Sequence, residues 1–247
     1  TDILRGEDHM TNSAAQIQLF EALESIPPRL GHLSLLTDIS GEGLSKRLGS
    51  LSLRDLRKEG FQPMALASLL SKVGTSDAIE VFKNINNIIK DFDINKFGKS
   101  KPKFDKMELS NLNSKFFQLM NYEDISDQLN NLDFKITSEF WNLIKGNINT
   151  LNDVKFWWNI IYGKIKSINN DQEFTHLALK TLPKDSFDQS TWSTWTSLLM
   201  KESGRKGKDL FKPLRLSLTG ESNGPEMANL VLTMGRDKIV ERLNNKD

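Results

Sequence analysis

The sequence has no cysteine, which removes disulfide bonds and thiolate metal ligands from consideration together. Only His9, His32 and His176 could supply imidazole, so we expect no protein-bound zinc. The chain also lacks any run of the ~18 apolar residues that a membrane span needs, and its first residues lack a basic-then-apolar secretory pattern. We therefore expect a cytoplasmic protein that does not contact a membrane.

An excess of charge is lacking as well. The 33 basic and 32 acidic residues give a net charge of +1, so contact with a polyanion requires local clustering of charge. A length of 247 residues is too great for one small core and favours two or three compact units. The chain starts with threonine and runs at once into strand-like apolar residues, so we interpret it as beginning inside a domain.

Apolar spacing predicts a mainly α-helical chain with a small α/β part at its beginning. Short strands are predicted near residues 3–4 and 32–36, separated by a helix that ends at Pro27. Helix signals dominate from residue 53 onward, and Pro63 suits the first turn of a helix. Lysine, glycine and proline between residues 92 and 104 predict a connector, after which helix follows helix to the end.

Segment 41–47, Gly-Glu-Gly-Leu-Ser-Lys-Arg, is the most informative stretch. Glycines on both sides of a short polar strip predict a mobile loop, and Lys46 gives this loop an ammonium group that can reach a phosphate. Alone, such a loop does not indicate a function, because many surface loops have the same composition. The segments around it supply the context.

Several segments follow one another in a specific order. Segment 5–9, Arg-Gly-Glu-Asp-His, comes first, then the Pro27-Pro28 break, then segment 41–47, then segment 50–56, Ser-Leu-Ser-Leu-Arg-Asp-Leu. In this order they resemble bacterial glutamyl-tRNA synthetases, a family of class I aminoacyl-tRNA synthetases. The resemblance runs over nearly the whole chain, but the first part of the family's catalytic fold is not in it.

The resemblance implies a mainly α architecture in three parts. Residues 1–38 would be the C-terminal part of a Rossmann-type catalytic α/β domain. Residues 39–104 would be a small helical connecting domain that contacts the tRNA stem and carries the lysine loop. Residues 105–247 would be an all-helical anticodon-binding domain, which argues against the glutaminyl-tRNA synthetases with their β-barrels.

The resemblance also assigns the lysine loop to ATP. Lys46 would be the catalytic residue that stabilises negative charge on the phosphates of ATP, which binds together with Mg²⁺. Ser45 and Leu44 would bind ATP beside it. Gly43 stands where many members of the family carry a first loop lysine. That difference makes Lys46 the more critical charge.

The same resemblance implies that segment 5–9 contacts the amino-acid substrate. Arg5 would bind the side-chain carboxylate of glutamate, because a planar guanidinium meets both carboxylate oxygens. Asp8 and His9 would lie beside the ribose of ATP and the amino-acid pocket. The alternative for these residues is a surface ion pair without function.

The densest basic stretch lies between residues 201 and 215, where six basic residues accompany two acidic ones. A helix start with free amides and lysines suits an RNA phosphate, and the family carries a similar Gly-Arg-Lys-Gly-Lys run. We therefore predict that Arg205, Lys206, Lys208 and Arg215 bind tRNA. A solvated helix face is the alternative. The tryptophans could stack on anticodon bases, but most of them are expected to lie in the core.

The function implied is the ATP-dependent ligation of glutamate to tRNA(Glu) through a glutamyl-adenylate, by a monomer. The chain by itself is expected to bind tRNA without catalysis, because the first part of the catalytic fold is absent from it. Two alternatives stay open at this point, a non-catalytic RNA-binding module and a misacylating form that also charges tRNA(Gln). A helical scaffold for protein partners is a third, which no residue specifically favours.

Overall fold

The structure is a computed structural model that describes residues 1–44, 52–165 and 171–244. It divides into two compact units, Thr1–Phe116 and Phe117–Asp247. Helices predominate, and a two-stranded parallel sheet is the one sheet within the described ranges, which confirms the predicted fold class. The further division of the first unit at residue 38 stays a prediction.

The first unit opens on a strand, a helix and a parallel strand. Strand β1 (Asp2–Gly6) pairs with β2 (Arg29–Leu33), and helix α1 (Met10–Ala22) connects them. Parallel strands cannot be joined by a tight turn, so the helical crossover is required. Because the strands are parallel, both of their carboxyl ends lie at the same edge of the sheet.

This β-α-β arrangement leaves large apolar side chains in contact with solvent. Leu4 of β1 is 60% exposed, and Leu19 and Leu23, at the end of α1, are 62% and 75% exposed. Parallel sheets are normally covered on both faces by other elements. The first unit therefore has apolar surface suited to further packing.

Short helices form the rest of the first unit. They are α2 (Leu53–Lys58), α3 (Pro63–Lys72), α4 (Ile85–Asp91) and the first part of α5 (Lys106–Leu119). Ser52 caps α2 by accepting a hydrogen bond from the Asp55 amide at 3.1 Å. Pro63 occupies the first turn of α3, as predicted, where its missing N–H costs nothing.

An ion-pair network crosses these helices. Lys72 is only 5% exposed, and its ammonium contacts Asp77 at 3.1 Å and also Asp91. Asp77 reaches Lys96 at 2.8 Å. The hydrogen bond from Lys96 is the main cause of a lowered pKa for Asp77, and the hydrogen bond from Lys72 adds to it. The hydrogen bond to Asp91 is the main cause of a raised pKa for Lys72, and the hydrogen bond to Asp77 adds to it. The network ties the end of α3 to the segment after α4.

Segment 92–104 was predicted to be a connector, and the structure shows it packed within the first unit. Phe92 and Phe97 stack with ring centroids 5.5 Å apart, and Lys96 belongs to the ion-pair network. Thr37 donates from its amide to the Pro102 carbonyl at 2.9 Å and accepts from the Phe104 amide at 2.8 Å. These contacts hold the segment in place within the first unit.

Helices alone form the second unit in the described part of the chain. After the end of α5 come α6 (Tyr122–Asn130), α7 (Ser138–Ile144), α8 (Asp153–Tyr162), α9 (Gln172–Thr181), α10 (Thr191–Ser203), α11 (Lys208–Thr219) and α12 (Met227–Asn244). Gly235 breaks α12 into two helices, since its φ of 71° and ψ of 166° are not helical.

Tryptophans supply much of this core. Trp141 and Trp195 are fully buried, and Trp157 is 5% exposed. Adjacent helical residues cannot share a face, so one of the three aromatic residues 156–158 was expected outside the core. The structure confirms this, because Phe156 is 46% exposed and Trp158 is half-buried.

A buried arginine joins α12 to the end of α8. Arg242 is fully buried, and its Nη2 donates to the carbonyls of Ile160 and Gly163, both at 2.9 Å. The last carbonyls of a helix have no intrahelical partner, and a guanidinium can satisfy them. Arg242 therefore caps α8 from a distant part of the sequence.

Loop 220–226 presses its backbone against the same helix. Gly224 has a φ of +144°, and a Cβ built there would lie 2.2 Å from Cη2 of Trp157. The indole Nε1 of Trp157 donates to the Asn147 carbonyl at 3.1 Å, which fixes the ring. Only glycine fits between this ring and the loop.

We expect Gly224→Ala to destabilise the second unit by about 2 kcal/mol or more, because the methyl group overlaps the Trp157 ring and the backbone conformation disfavours a side chain. Urea unfolding followed by tryptophan fluorescence measures this, since all five tryptophans lie in that unit. Gly146→Ala is the control, because nothing lies within 4 Å of its added Cβ. Equal unfolding curves for the two variants would contradict the prediction.

Candidate functional site

A cavity of about 570 Å³ opens in the first unit at the carboxyl ends of β1 and β2. Its walls come from the strand ends, from Leu44 of the glycine-flanked loop, from α3 and from segment 97–102. They are mostly apolar, and Arg5 is the charged residue among those described. The lining residues are Leu4, Arg5, Gly6, Leu33, Ser34, Leu35, Leu36, Leu44, Leu70, Val73, Gly74, Phe97, Gly98 and Pro102.

Arg5 reaches the cavity from the end of β1 and is held by α1. Its Nη1 donates to Oε1 of Gln16 at 2.7 Å, and its Nη2 donates to Oγ of Ser13. The Nε–H is buried and has no hydrogen-bond partner. The guanidinium is thus fixed by two neutral side chains, and no carboxylate neutralises its charge in these contacts.

Ser13 also contacts the second strand. Its Oγ is 2.8 Å from Nε2 of His32 and donates to the carbonyl of His9 at 3.0 Å. The strand register places Arg5 directly opposite His32, so one hydroxyl lies beside both side chains. Arg5 was predicted from the sequence, whereas Ser13 and Gln16 were not. Their spacing of three residues on one helix face was a signal, but only the strand register shows what that face meets.

Gly6 and the 3-10 turn Glu7–His9 follow Arg5. A Cβ at Gly6 would lie 2.4 Å from Oδ1 of Asp8 and 2.7 Å from Cδ2 of Leu35, so a side chain there would displace one of them. Asp8 and His9 face each other at 3.9 Å and are both exposed. Neither lines the cavity, whereas Leu44 does.

The start of the glycine-flanked loop is ordered by Asp38. Its Oδ1 accepts hydrogen bonds from the Ser40 amide at 2.9 Å, the Ser40 hydroxyl at 2.6 Å and the Glu42 amide at 3.0 Å. The bond from the Ser40 side chain is the main cause of a lowered pKa for Asp38. Gly41 has a φ of +93°, which this turn requires. Ser45 and Lys46, predicted to bind ATP, lie outside the described residues.

The predicted tRNA-binding residues fall into two groups. Lys206 and Lys208 are exposed at the start of α11, where Gly207 offers no side-chain cap. Arg205 instead contacts Asp171 at 2.6 Å and lies over the Phe174 ring at 4.6 Å. Arg205 and Lys206 are adjacent in sequence, but the Arg205 side chain is paired with Asp171 and the Lys206 side chain is exposed.

Arg215 has a partner within the second unit. Its Nη2 donates to the Pro225 carbonyl at 2.9 Å, and its Nη1 is buried without a partner. Burial lowers the pKa of this guanidinium. Arg215 therefore holds the loop after α11, and little of its charge faces solvent.

Comparison with known proteins now gives these arrangements a context. Residues 1–111 match the catalytic domain of class I tRNA synthetases of the E and Q type, and residues 115–246 match an anticodon binding domain. The chain belongs to the glutamyl-tRNA synthetase family. It is 43% identical to glutamate–tRNA ligase 1 of Maricaulis maris over 98% of its own length and 55% of that protein. The ligase of Azospirillum brasilense is also 43% identical, over the same shares.

Solved structures share the fold. A glutamate tRNA ligase from Elizabethkingia meningosepticum, in complex with its amino acid, superposes with a TM-score of 0.79 at 23% identity, covering 99% of this chain and 56% of that one. The glutamate–tRNA synthetase of Elizabethkingia anophelis gives a TM-score of 0.75 with the same shares and identity. The chain thus spans about half the length of the proteins it matches.

The described residues also lack two kinds of feature. No group of three or more His, Cys, Asp or Glu side chains in those ranges could hold a metal ion. No helix in the described parts of the chain is long and apolar enough to cross a membrane.

We expect the turn at residues 38–42 to depend on ionised Asp38. Because the folded pKa of Asp38 is lowered, the turn is stable above the ordinary aspartate pKa of about 3.9 and weakens as the pH falls through the lower folded value. NMR shifts of the Ser40 and Glu42 amides should therefore titrate with a midpoint below that value. Asp38→Ala should abolish this titration, while Asp93→Ala, which removes a similar turn at Asn95, should preserve it. A midpoint at or above the ordinary value would contradict the assignment.

Proposed function

We propose that the chain is part of a cytoplasmic, monomeric glutamate–tRNA ligase, which activates glutamate with ATP and transfers it from the adenylate to tRNA(Glu). The observation that carries this proposal is Arg5, a guanidinium held by neutral partners at the rim of an apolar cavity. The family assignment and the names of the relatives support it. In this proposal the chain supplies the glutamate contact, part of the nucleotide pocket and the anticodon-binding surface.

Arg5 suits the side-chain carboxylate of glutamate for two reasons. Its charge is not neutralised by the groups that hold it, Ser13 and Gln16, and its Nε–H still lacks an acceptor. A carboxylate that completes these hydrogen bonds gains charge-assisted contacts in a low-dielectric surrounding. A side chain without charge would leave the guanidinium incompletely paired, which selects for glutamate over apolar amino acids.

The cavity suits the base of ATP. Its volume of about 570 Å³ and its mostly apolar lining are typical of small-molecule sites. Leu44 lines it and directly precedes Ser45 and Lys46, so Lys46 would act on the phosphates beyond the base. Mg²⁺ would arrive with ATP as part of the substrate complex. Asp8 and His9, exposed beside Arg5, would meet the ribose and the amino acid at the rim.

Lys206 and Lys208 are the proposed contacts to tRNA phosphates. Both are exposed, and they flank Gly207 at a helix start whose amides have no side-chain cap. An uncapped helix start and nearby ammonium groups together favour a bound phosphate. Arg205 and Arg215 would act indirectly, by fixing the segment that presents these lysines.

A non-catalytic RNA-binding module is the second candidate, and the observation that favours it is the match of residues 115–246 to an anticodon binding domain. In either case we propose that the chain by itself binds tRNA and does not form the adenylate. Whether tRNA(Gln) is also charged is a question of substrate range within the first candidate. Aminoacylation of both tRNAs by the full-length ligase would answer it.

We expect Arg5→Ala, in a ligase that contains this chain, to raise the KM for glutamate about a hundredfold, because it removes charge-assisted hydrogen bonds to the substrate carboxylate. The KM for ATP should change little.

Lys46→Ala should give the complementary pattern, slow pyrophosphate exchange with tRNA affinity almost unchanged. Equal effects of Arg5→Ala on both substrates would remove Arg5 from the amino-acid pocket, and normal exchange would remove Lys46 from catalysis.

We also expect the double variant Lys206→Ala, Lys208→Ala to weaken tRNA binding by the chain and to lower the slope of log K against log salt by roughly 1.5, as the loss of two phosphate contacts predicts. Filter binding across a salt series measures both quantities. The matched control is Lys155→Ala, Lys180→Ala, which removes the same charge from exposed positions elsewhere in the second unit. Equal losses in the two double variants would show that binding is diffuse.

A further inference from the structure

We propose that Ser13 and His32 are positioning residues for the guanidinium of Arg5 and thereby determine how tightly glutamate binds. The inference deepens the proposed function, because it rests on Arg5 being the glutamate contact. Neither residue touches the substrate in this proposal. They act by holding the planar fork of Arg5 in one orientation.

The hydrogen bonds of Ser13 show why its partners are fixed. A serine hydroxyl has one proton to donate and two lone pairs that accept. The Ser13 proton is directed to the His9 carbonyl at 3.0 Å, so the oxygen accepts from Arg5 Nη2 and from His32 Nε2 at 2.8 Å. With this assignment of the Ser13 proton, His32 carries its own proton on Nε2. The one donor and both acceptor positions of the Ser13 hydroxyl are therefore used, and Ser13 is only 6% exposed.

Strand register brings the three groups together. Arg5 and His32 are directly opposite each other in β1 and β2, so their side chains lie on the same face of the sheet. That face meets α1 at Ser13, and Gln16, one turn further along, accepts from Nη1 of Arg5 at 2.7 Å. Strand β1 thus contributes the guanidinium, α1 contributes its two acceptors, and β2 contributes the imidazole that contacts Ser13.

Fixing this side chain in advance favours binding. Arginine is long and loses rotamer entropy when it is immobilised, so a free Arg5 would bear that cost each time glutamate binds. Because Ser13 and Gln16 already hold Arg5, its rotamer entropy is lost when the protein folds and not when glutamate binds. His32 donates the second hydrogen bond that Ser13 Oγ accepts, and this bond keeps the hydroxyl in the orientation that accepts from Arg5. A ligand-binding group supported in this way keeps the geometry that its substrate requires.

The first test is the tautomer of His32 in the chain itself. Long-range ¹H–¹⁵N NMR resolves the imidazoles well, because the chain has only three histidines. We expect His32 to carry its proton on Nε2, and we expect Ser13→Ala to convert it to a mixture of tautomers while the backbone spectrum stays folded. A proton on Nδ1 in the unaltered chain, or an unchanged tautomer in Ser13→Ala, would overturn the proposal.

The second test is kinetic and uses a ligase that contains this chain. Ser13→Ala and His32→Leu should each raise the KM for glutamate about tenfold, with kcat and the KM for ATP within about twofold of the parent. Ser13→Thr keeps the hydroxyl and His32→Gln keeps a donor near Nε2, so both should return the KM to nearly the parent value. Ser25→Ala, an exposed serine outside this cluster, is the control.

The outcomes separate the two proposals. If Arg5→Ala raises the KM for glutamate while Ser13→Ala and His32→Leu do not, Arg5 binds glutamate without their help and this inference fails alone. If Arg5→Ala leaves that KM unchanged, the proposed function of Arg5 fails and the inference fails with it. Equal increases in the KM for glutamate and for ATP in Ser13→Ala would indicate general structural damage and would also overturn it.

Discussion

The parallel pairing of β1 with β2 is the constraint on which the first unit depends. Two parallel strands need a crossover, and α1 supplies it, so three segments that are distant in sequence meet at one edge of the sheet. Arg5, Ser13 and His32 come from these three segments. A shift of the register by one residue would turn Arg5 to the opposite face and separate it from both partners.

The same edge explains where the cavity forms. Chain segments leave both strands there and diverge, and the space between them is closed by α3 and by segment 97–102. Thr37 links the segment after β2 to Pro102 and Phe104. The lysine-rich stretch is therefore a wall of the cavity region rather than a tether. Its lysines stay at the surface while its backbone and aromatic rings pack.

In the second unit, long-range contacts decide which basic residues are available to a partner. Arg242 is used to cap α8, Arg215 holds the Pro225 carbonyl and Arg205 pairs with Asp171. Each of these guanidinium groups is held by a partner within the second unit. Lys206 and Lys208 have no such contact among the described residues and remain exposed. Arg205, which stabilises the fold, and Lys206, which is available to a ligand, are thus adjacent in sequence.

The sequence alone determined the mainly helical fold class and the helical first turn at Pro63, because composition and proline chemistry act within a few residues. The role of Arg5, which the family resemblance implies, stays a prediction. The sequence did not indicate Ser13, Gln16 or Asp38, whose roles depend on what lies opposite them. For segment 92–104, lysine content indicated solvation but could not indicate contacts such as that of Phe92 with Phe97. Only the tertiary structure decided which polar groups are paired, because hydrogen bonds between distant segments depend on strand register and helix packing that no local pattern encodes.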